Sequence, residues 1–114
     1  MNVGETLTIQ INHPGSKVKF RKNELEEIVT LFKALGDPSR LEIVALLSRE
    51  PNLCVTDVGK KLKMSISRVS HHLKLLEHLG FVKHRQEGKQ VYHRIEDDCI
   101  IDIMARAHEH VRGK

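Results

Sequence analysis

The sequence has no tryptophan, one tyrosine and three phenylalanines, and only two cysteines, Cys54 and Cys99, in 114 residues. Two cysteines are too few for a disulfide scaffold. Reduced thiols in a cytoplasmic protein are therefore the expectation. Apolar runs extend over only a few residues, too short to cross a bilayer, so no membrane partner is expected. The first residues lack the charged-then-apolar order of a secretory leader, and none is expected. The length excludes dinucleotide-binding folds and α/β barrels and leaves room for one small domain. There is no Gly-rich phosphate loop. His108-Glu109-His110 lacks the i, i+4 histidine spacing of the zinc proteases. No enzyme and no organic cofactor are expected.

What is present is charge, unevenly placed. Hydrophobic residues make 39% and charged residues 30%, the balance of a small globule, and the net charge is +4. Between Lys60 and Arg94 nine Lys/Arg face only Glu77 and Glu87, so that segment carries +7 and the remainder −3. A basic block in an otherwise acidic chain suits a polyanion, with nucleic-acid phosphates as the natural partner.

Residues 1–22 read as an N-terminal arm. Within it Thr6–Ile11 alternates like a short strand and Asn12–Ser16 reads as a turn. Residues 23–112 read as one helical domain with a small β-hairpin. A first helix is predicted from an Asn23 cap with Glu26 three residues on, its stripe Leu25, Ile28, Val29, Phe32 and Leu35, ending at Gly36. A second starts at Asp37-Pro38, an N-cap followed by proline at the first helical position, and buries Leu41, Val44, Ala45, Leu46 and Leu47. A short third helix opens at Val55 or Thr56, with Val58 and Leu62 inward. A fourth follows a Ser65 cap and runs to Leu79, with Ile66, Val69, Leu73 and Leu76 inward. The stretches 81–85 and 90–95 form a hairpin around Glu87-Gly88-Lys89. A last helix starts near Asp97 or Asp98 and carries Ile100, Ile103, Met104, Ala107 and Val111 on one face. Short helix, tight turn, longer helix and hairpin together make a winged helix-turn-helix.

The fourth helix is two-sided. Opposite its apolar stripe, Ser67, Ser70, His71 and Lys74 fall at i, i+3, i+4 and i+7, with Arg68 beside them and no acid among them. Small hydroxyls permit close approach to a groove, while Arg, His and Lys reach base edges and phosphates. Lys83, Arg85, Lys89 and Arg94 flank or occupy the hairpin and add a second basic element suited to the minor groove and its phosphates, with Arg85 and Lys89 as its candidate contacts. A protein-docking face would be more apolar.

Several of these stretches, in this order, resemble the ArsR/SmtB family of winged-helix repressors: Leu31–Leu41 with its Ala34-Leu35-Gly36-Asp37-Pro38-Ser39-Arg40 core, Leu53-Cys54-Val55, Val69–Leu76, Gly80-Phe81-Val82 and Glu87-Gly88-Lys89. The similarity covers about residues 25–111 and leaves out the arm. It implies a homodimer built on the first and last helices, an inverted-repeat operator in double-stranded DNA, and release by an inducer, in many relatives a metal ion.

The resemblance implies two places for such an ion. On the last helix, Asp97, Cys99 and His110 match the family's ligand positions, with Cys for the usual first His and Gly113 at the fourth position. Eleven residues of helix separate Cys99 from His110 by about 16 Å. One ion therefore needs Asp97 and Cys99 of one chain with His110 of the other. That donor set suits Zn2+ or a similar divalent metal. The alternative is a cap, a small apolar side chain and a surface histidine. The second place is at the third helix, where Cys54 and Asp57 match and His13 would be the arm ligand; Thr56 stands where all-thiolate sites carry a second Cys. Thiol or redox sensing through Cys54 and Cys99, and a regulator with no inducer, are further readings.

Overall fold

The computed structural model of the chain describes residues 8–13 and 16–113, with backbone alone at Thr8, Ile9, His13 and Ser16. The chain divides into two compact units after Lys33.

In the first unit β1 (Thr8–His13) and β2 (Ser16–Arg21) pair antiparallel, with Gln10 opposite Lys19, Ile11 opposite Val18 and Asn12 opposite Lys17. The strand predicted over Thr6–Ile11 runs instead to His13, and Thr6 and Leu7 lie outside the described residues. The turn read over Asn12–Ser16 shrinks accordingly, its Pro14-Gly15 centre also outside them. The return strand is a feature the sequence reading does not contain, although Lys17-Val18-Lys19-Phe20 alternates in the same way. Helix α1 (Lys22–Leu35) follows directly. It starts before Asn23 because the Arg21 backbone N–H donates to Glu24 Oε1 at 2.8 Å, so Glu24 rather than Glu26 closes the first turn.

The second unit holds the C-terminal end of α1, then α2 (Pro38–Arg49), α3 (Val55–Leu62), α4 (Ile66–His78), the antiparallel strands β3 (Val82–Glu87) and β4 (Gln90–Ile95), and α5 (Cys99–Arg112). The predicted architecture, mainly α with one small hairpin forming a winged helix-turn-helix, is the one observed. Its core is Ile43, Val44, Leu46, Leu47, Val58, Val69, Leu73, Leu76, Phe81, Val82 and Ile100. Ile43 is a core residue that the stripe reading of α2 omits, while Leu41 and Ala45 are only half-buried. Ile66, predicted inward, is 57% exposed because it is the first residue of α4 and no neighbouring element covers it. At the C-terminal end of α5, Ala107 and Val111 are exposed.

Each junction has a local cause. Asp37 Oδ2 accepts the Arg40 backbone N–H at 2.9 Å, the cap that the Asp-Pro pair announces. Cys54 caps α3, its backbone N–H donating to Asp57 Oδ2 at 3.4 Å, so the helix opens at Val55 rather than Thr56. The α3–α4 turn is tight: Lys63 is left-handed at φ 57°, the Met64 N–H donates to Gly59 O at 2.9 Å, and a Cβ on Gly59 would lie 2.8 Å from Met64 O. Ser65 Oγ then caps α4 by accepting the Arg68 N–H at 3.3 Å. α4 ends in a Schellman motif, with Gly80 at φ 85°, the Phe81 N–H on Leu76 O and the Gly80 N–H on Glu77 O. The hairpin turn is the two residues Gly88-Lys89, one shorter than predicted, with Glu87 paired to Gln90. Reciprocal backbone bonds between Leu53 and His93 root β4 beside the start of α3.

Gly59→Ala is expected to lower unfolding free energy by about 1–3 kcal/mol, since backbone must move to admit the methyl group. Chemical denaturation of the two proteins measures it.

Candidate nucleic-acid interface

Helix α4 is held by its inner side. Val69, Leu73 and Leu76 are fully buried, and His72 lies between them on the same side. Arg40 of α2 donates from Nη1 to His72 Nδ1 at 3.3 Å and from Nε to Ala34 O, at the end of α1, at 2.7 Å. Burial holds the His72 pKa below its ordinary value of 6.5, and the Arg40 guanidinium acts in the same direction. A neutral ring is what the arrangement needs, because His72 Nδ1 accepts.

The outer side carries the predicted reading residues. Ser67, Arg68, His71 and Lys74 are exposed and Ser70 is half-buried. Arg68 is not free: its Nη2 donates to Ser39 Oγ of α2 at 2.9 Å, which fixes it along the flank of the helix. Exposed Ile66 sits at the N-terminal edge of this face. Sequence periodicity assigns it to the core, and only its place at the helix start distinguishes it. One acid belongs to the helix as well. Glu77, half-buried in its last turn, accepts from His84 Nδ1 of β3 at 2.6 Å.

On the β3–β4 hairpin four cations stand near the tip or stem, and two are engaged. Arg85 lies over the Tyr92 ring, 5.1 Å from its centroid, and pairs with Glu87; Arg94 pairs with Glu96 at 3.3 Å. Lys83 and Lys89 are exposed and in no ion pair among the described residues. Surface pairs of this kind contribute little and open readily to phosphate. Behind the hairpin a pocket of about 290 Å³ is lined by Ser70, Leu73, Lys74, Glu77, His84 and His93, among others. His93 is 7% exposed, its Nδ1 has no hydrogen-bond partner among the described residues, and burial lowers its pKa from 6.5.

The candidate metal ligands separate into two groups. At α5, Asp97 Oδ1 accepts the Cys99 backbone N–H at 2.9 Å, while Cys99 and His110 are both exposed and far apart along one helix. At α3, the Cys54 thiol donates to Asp57 Oδ2 at 3.0 Å and lies 3.1 Å from Thr56 Oγ1. That thiol bond, with the Cys54 backbone N–H, holds the Asp57 carboxyl below its usual range. The His13 side chain lies outside the described residues. Among the described residues no three His, Cys, Asp or Glu side chains of one chain converge on an ion. Cys54 and Asp57 are brought together; Asp97, Cys99 and His110 are not, within a single chain.

A helix-turn-helix whose second helix is anchored inside and polar outside, followed by a two-stranded wing, defines a winged-helix regulator. A family model for bacterial regulatory proteins of the arsR family matches residues 37–84. The chain is 38% identical over 97 residues to a cadmium resistance transcriptional regulatory protein CadC homolog of Staphylococcus aureus, covering 85% of this chain and 80% of that one. It is 33% identical over 90 residues to a transcriptional repressor SmtB homolog of Synechocystis, covering 79% and 67%. Among solved structures, the homodimeric winged helix-turn-helix domain of a possible ArsR-family regulator of Mycobacterium bovis superposes with a TM-score of 0.69 at 26% identity, covering 77% and 81%. The chain belongs to the ArsR/SmtB family of transcriptional repressors, which are regulators and not enzymes.

Both buried histidines favour the neutral form when folded, so their contribution is complete above pH 6.5 and is lost as pH falls below it. The melting temperature is expected to drop between pH 7.5 and 5.5, and His93→Phe is expected to flatten that drop. Thermal melts across the range test both.

Proposed function

We propose that this chain is a cytoplasmic homodimeric repressor that binds an inverted-repeat operator and leaves it when a divalent metal binds. The observation that carries the reading is the outer side of α4. Ser67, Ser70, His71 and Lys74 form a polar, cation-bearing strip on a helix immobilised by four buried side chains. Such a helix enters the major groove with its N-terminal residues at base edges. Ser67, Ser70 and His71 face bases, Lys74 and Arg68 face phosphates, and Ile66 offers apolar contact to a thymine methyl. Arg85 and Lys89 of the wing meet the adjoining backbone and minor groove, Arg85 exchanging Glu87 for phosphate.

Homodimerisation is supported by apolar side chains that a monomer leaves in water: Val29 and Phe32 of α1 and Val111 of α5. Residues 23–112 act as the DNA-binding and dimerising domain, with 1–22 as the arm. Among the described residues no helix is long and apolar enough to cross a membrane.

For the inducer, the relatives' names speak of cadmium resistance and of the SmtB repressor, and the donors of α5 fit the same chemistry. Asp97 and Cys99 with His110 of the partner subunit supply oxygen, sulfur and nitrogen, a set suited to Zn2+. The separation of Cys99 from His110 along α5 requires the second copy. A bound divalent ion would link two copies of α5. Asp97 would then exchange its cap to the Cys99 N–H for a ligand role. The Cys54–Asp57 pair favours a second reading, a site at α3 completed by His13.

Lys74→Ala is expected to weaken binding to every duplex and to lower the salt slope by about one. His71→Ala or Ser67→Ala should cost about 1–3 kcal/mol at one base position. Fluorescence anisotropy on the chain's own upstream DNA measures both. Zinc added at saturation should release wild-type protein and leave a Cys99→Ser/His110→Ala double variant bound. Release of that variant as well would transfer the ion to Cys54 and Asp57.

A further inference from the structure

The β1–β2 hairpin has two chemically different faces. In an antiparallel ribbon, paired residues point to one side and successive pairs alternate. The pairs Gln10–Lys19 and Asn12–Lys17, with Arg21 two residues beyond Lys19, therefore share a face. Ile11, Val18 and Phe20 belong to the other. All five polar side chains are exposed, and none of the three cations is in an ion pair among the described residues. From Thr8 to Asn23 there is no acid, and Lys17, Lys19, Arg21 and Lys22 give the segment +4. The next acid, Glu24, is occupied by the Arg21 backbone N–H. The family match begins at residue 37, beyond this ribbon.

We propose that the polar face of the β1–β2 ribbon is a second DNA contact, with Lys17, Lys19 and Arg21 on phosphates and Gln10 and Asn12 toward base edges. The inference rests on the operator-binding reading of α4. A B-DNA major groove about 12 Å wide admits a two-stranded ribbon, and Gln and Asn amides match the N6/N7 edge of adenine. The cations recur every second residue, about 7 Å apart along the strand, so that all three address one backbone. Tethering to a domain already on DNA gives the ribbon a high effective concentration, so individually weak contacts add to affinity. An anionic lipid surface is the competing occupant, because Ile11 and Val18 are 50% and 37% exposed on the opposite face. Lipid would reward those apolar side chains and leave the Gln10 and Asn12 amides without a role. DNA uses the whole polar face.

Three full-length variants test this by anisotropy on duplex DNA between about 50 and 200 mM salt, on the upstream inverted repeat and on a random duplex. They are Lys17→Ala/Lys19→Ala/Arg21→Ala, Gln10→Glu/Asn12→Asp, and Lys74→Ala as a control for α4. The triple variant is expected to lose about 0.9 of salt slope per phosphate contact removed and at least about tenfold in affinity. The hydroxyl-radical footprint should shrink in the triple variant and keep the protection that Lys74→Ala weakens. The amide-to-acid variant, near in shape but carrying the same sign of charge as phosphate, should weaken binding with its melting temperature unchanged. Wild-type slope and footprint in both ribbon variants, with Lys74→Ala weakened, would overturn the ribbon contact alone. No effect of any variant would overturn the reading of α4 as well. Phosphatidylserine vesicle binding that the triple variant loses, with its DNA slope unchanged, would assign the ribbon to a membrane surface and overturn the proposal.

Discussion

The contact between Arg40 and His72 is the constraint on which the placement of the outer side of α4 depends. Arg40 reaches from α2 to the inner side of α4 and, through Nε, to the Ala34 carbonyl in the last turn of α1. Its own backbone N–H is the donor that Asp37 caps. One residue, through its side chain and its backbone N–H, thus ties together the end of one helix, the start of the next and the back of α4. Since His72 must accept, the ring has to be neutral, and burial keeps it so. With that side fixed by Val69, Leu73 and Leu76, the opposite side can consist of serines, a histidine and a lysine, all exposed except the half-buried Ser70.

The wing is coupled to the same helix by a different chemistry. His84 of β3 donates to Glu77 of α4, and β4 is bonded through its backbone to Leu53, next to the Cys54 cap of α3. The hairpin is therefore referred to both helices of the helix-turn-helix motif. The His84 bond occupies a carboxylate oxygen of Glu77, the acid one turn on from Lys74. On the hairpin itself Arg85 and Arg94 are paired locally, while Lys83 and Lys89 are exposed.

The sensor chemistry has a different status because a single chain does not assemble it. Asp97 serves the first N–H of α5, Cys99 and His110 point into solvent from positions far apart, and Cys54 already shares its thiol proton with Asp57. Each of these arrangements is complete as local structure. A metal would have to replace a hydrogen bond in either place, and at α5 it would also need a second copy.

Sequence alone determined the elements whose causes are local. Asp37-Pro38, Ser65 and Gly80 announce helix ends through single caps and one left-handed residue. The 3.6-residue recurrence of Val69, Leu73 and Leu76 orients α4, and with it the outward set Ser67, Ser70, His71 and Lys74. Motifs in fixed order were enough to identify the family. Tertiary structure decided whatever depends on which neighbour happens to be present. Ile66 fits the apolar period yet is exposed, because nothing covers the first turn of α4. His72 and His93 carry no burial signal in the sequence and are buried, because α2 and the residues before α3 close over them. Arg68, Arg85 and Glu77 change from free charges to partnered ones through contacts with Ser39, Glu87 and His84. The β2 strand exists because β1 offers it a matching alternation in register. Periodicity reports the direction in which a side chain points; whether something waits there is fixed only when the chain has folded back on itself.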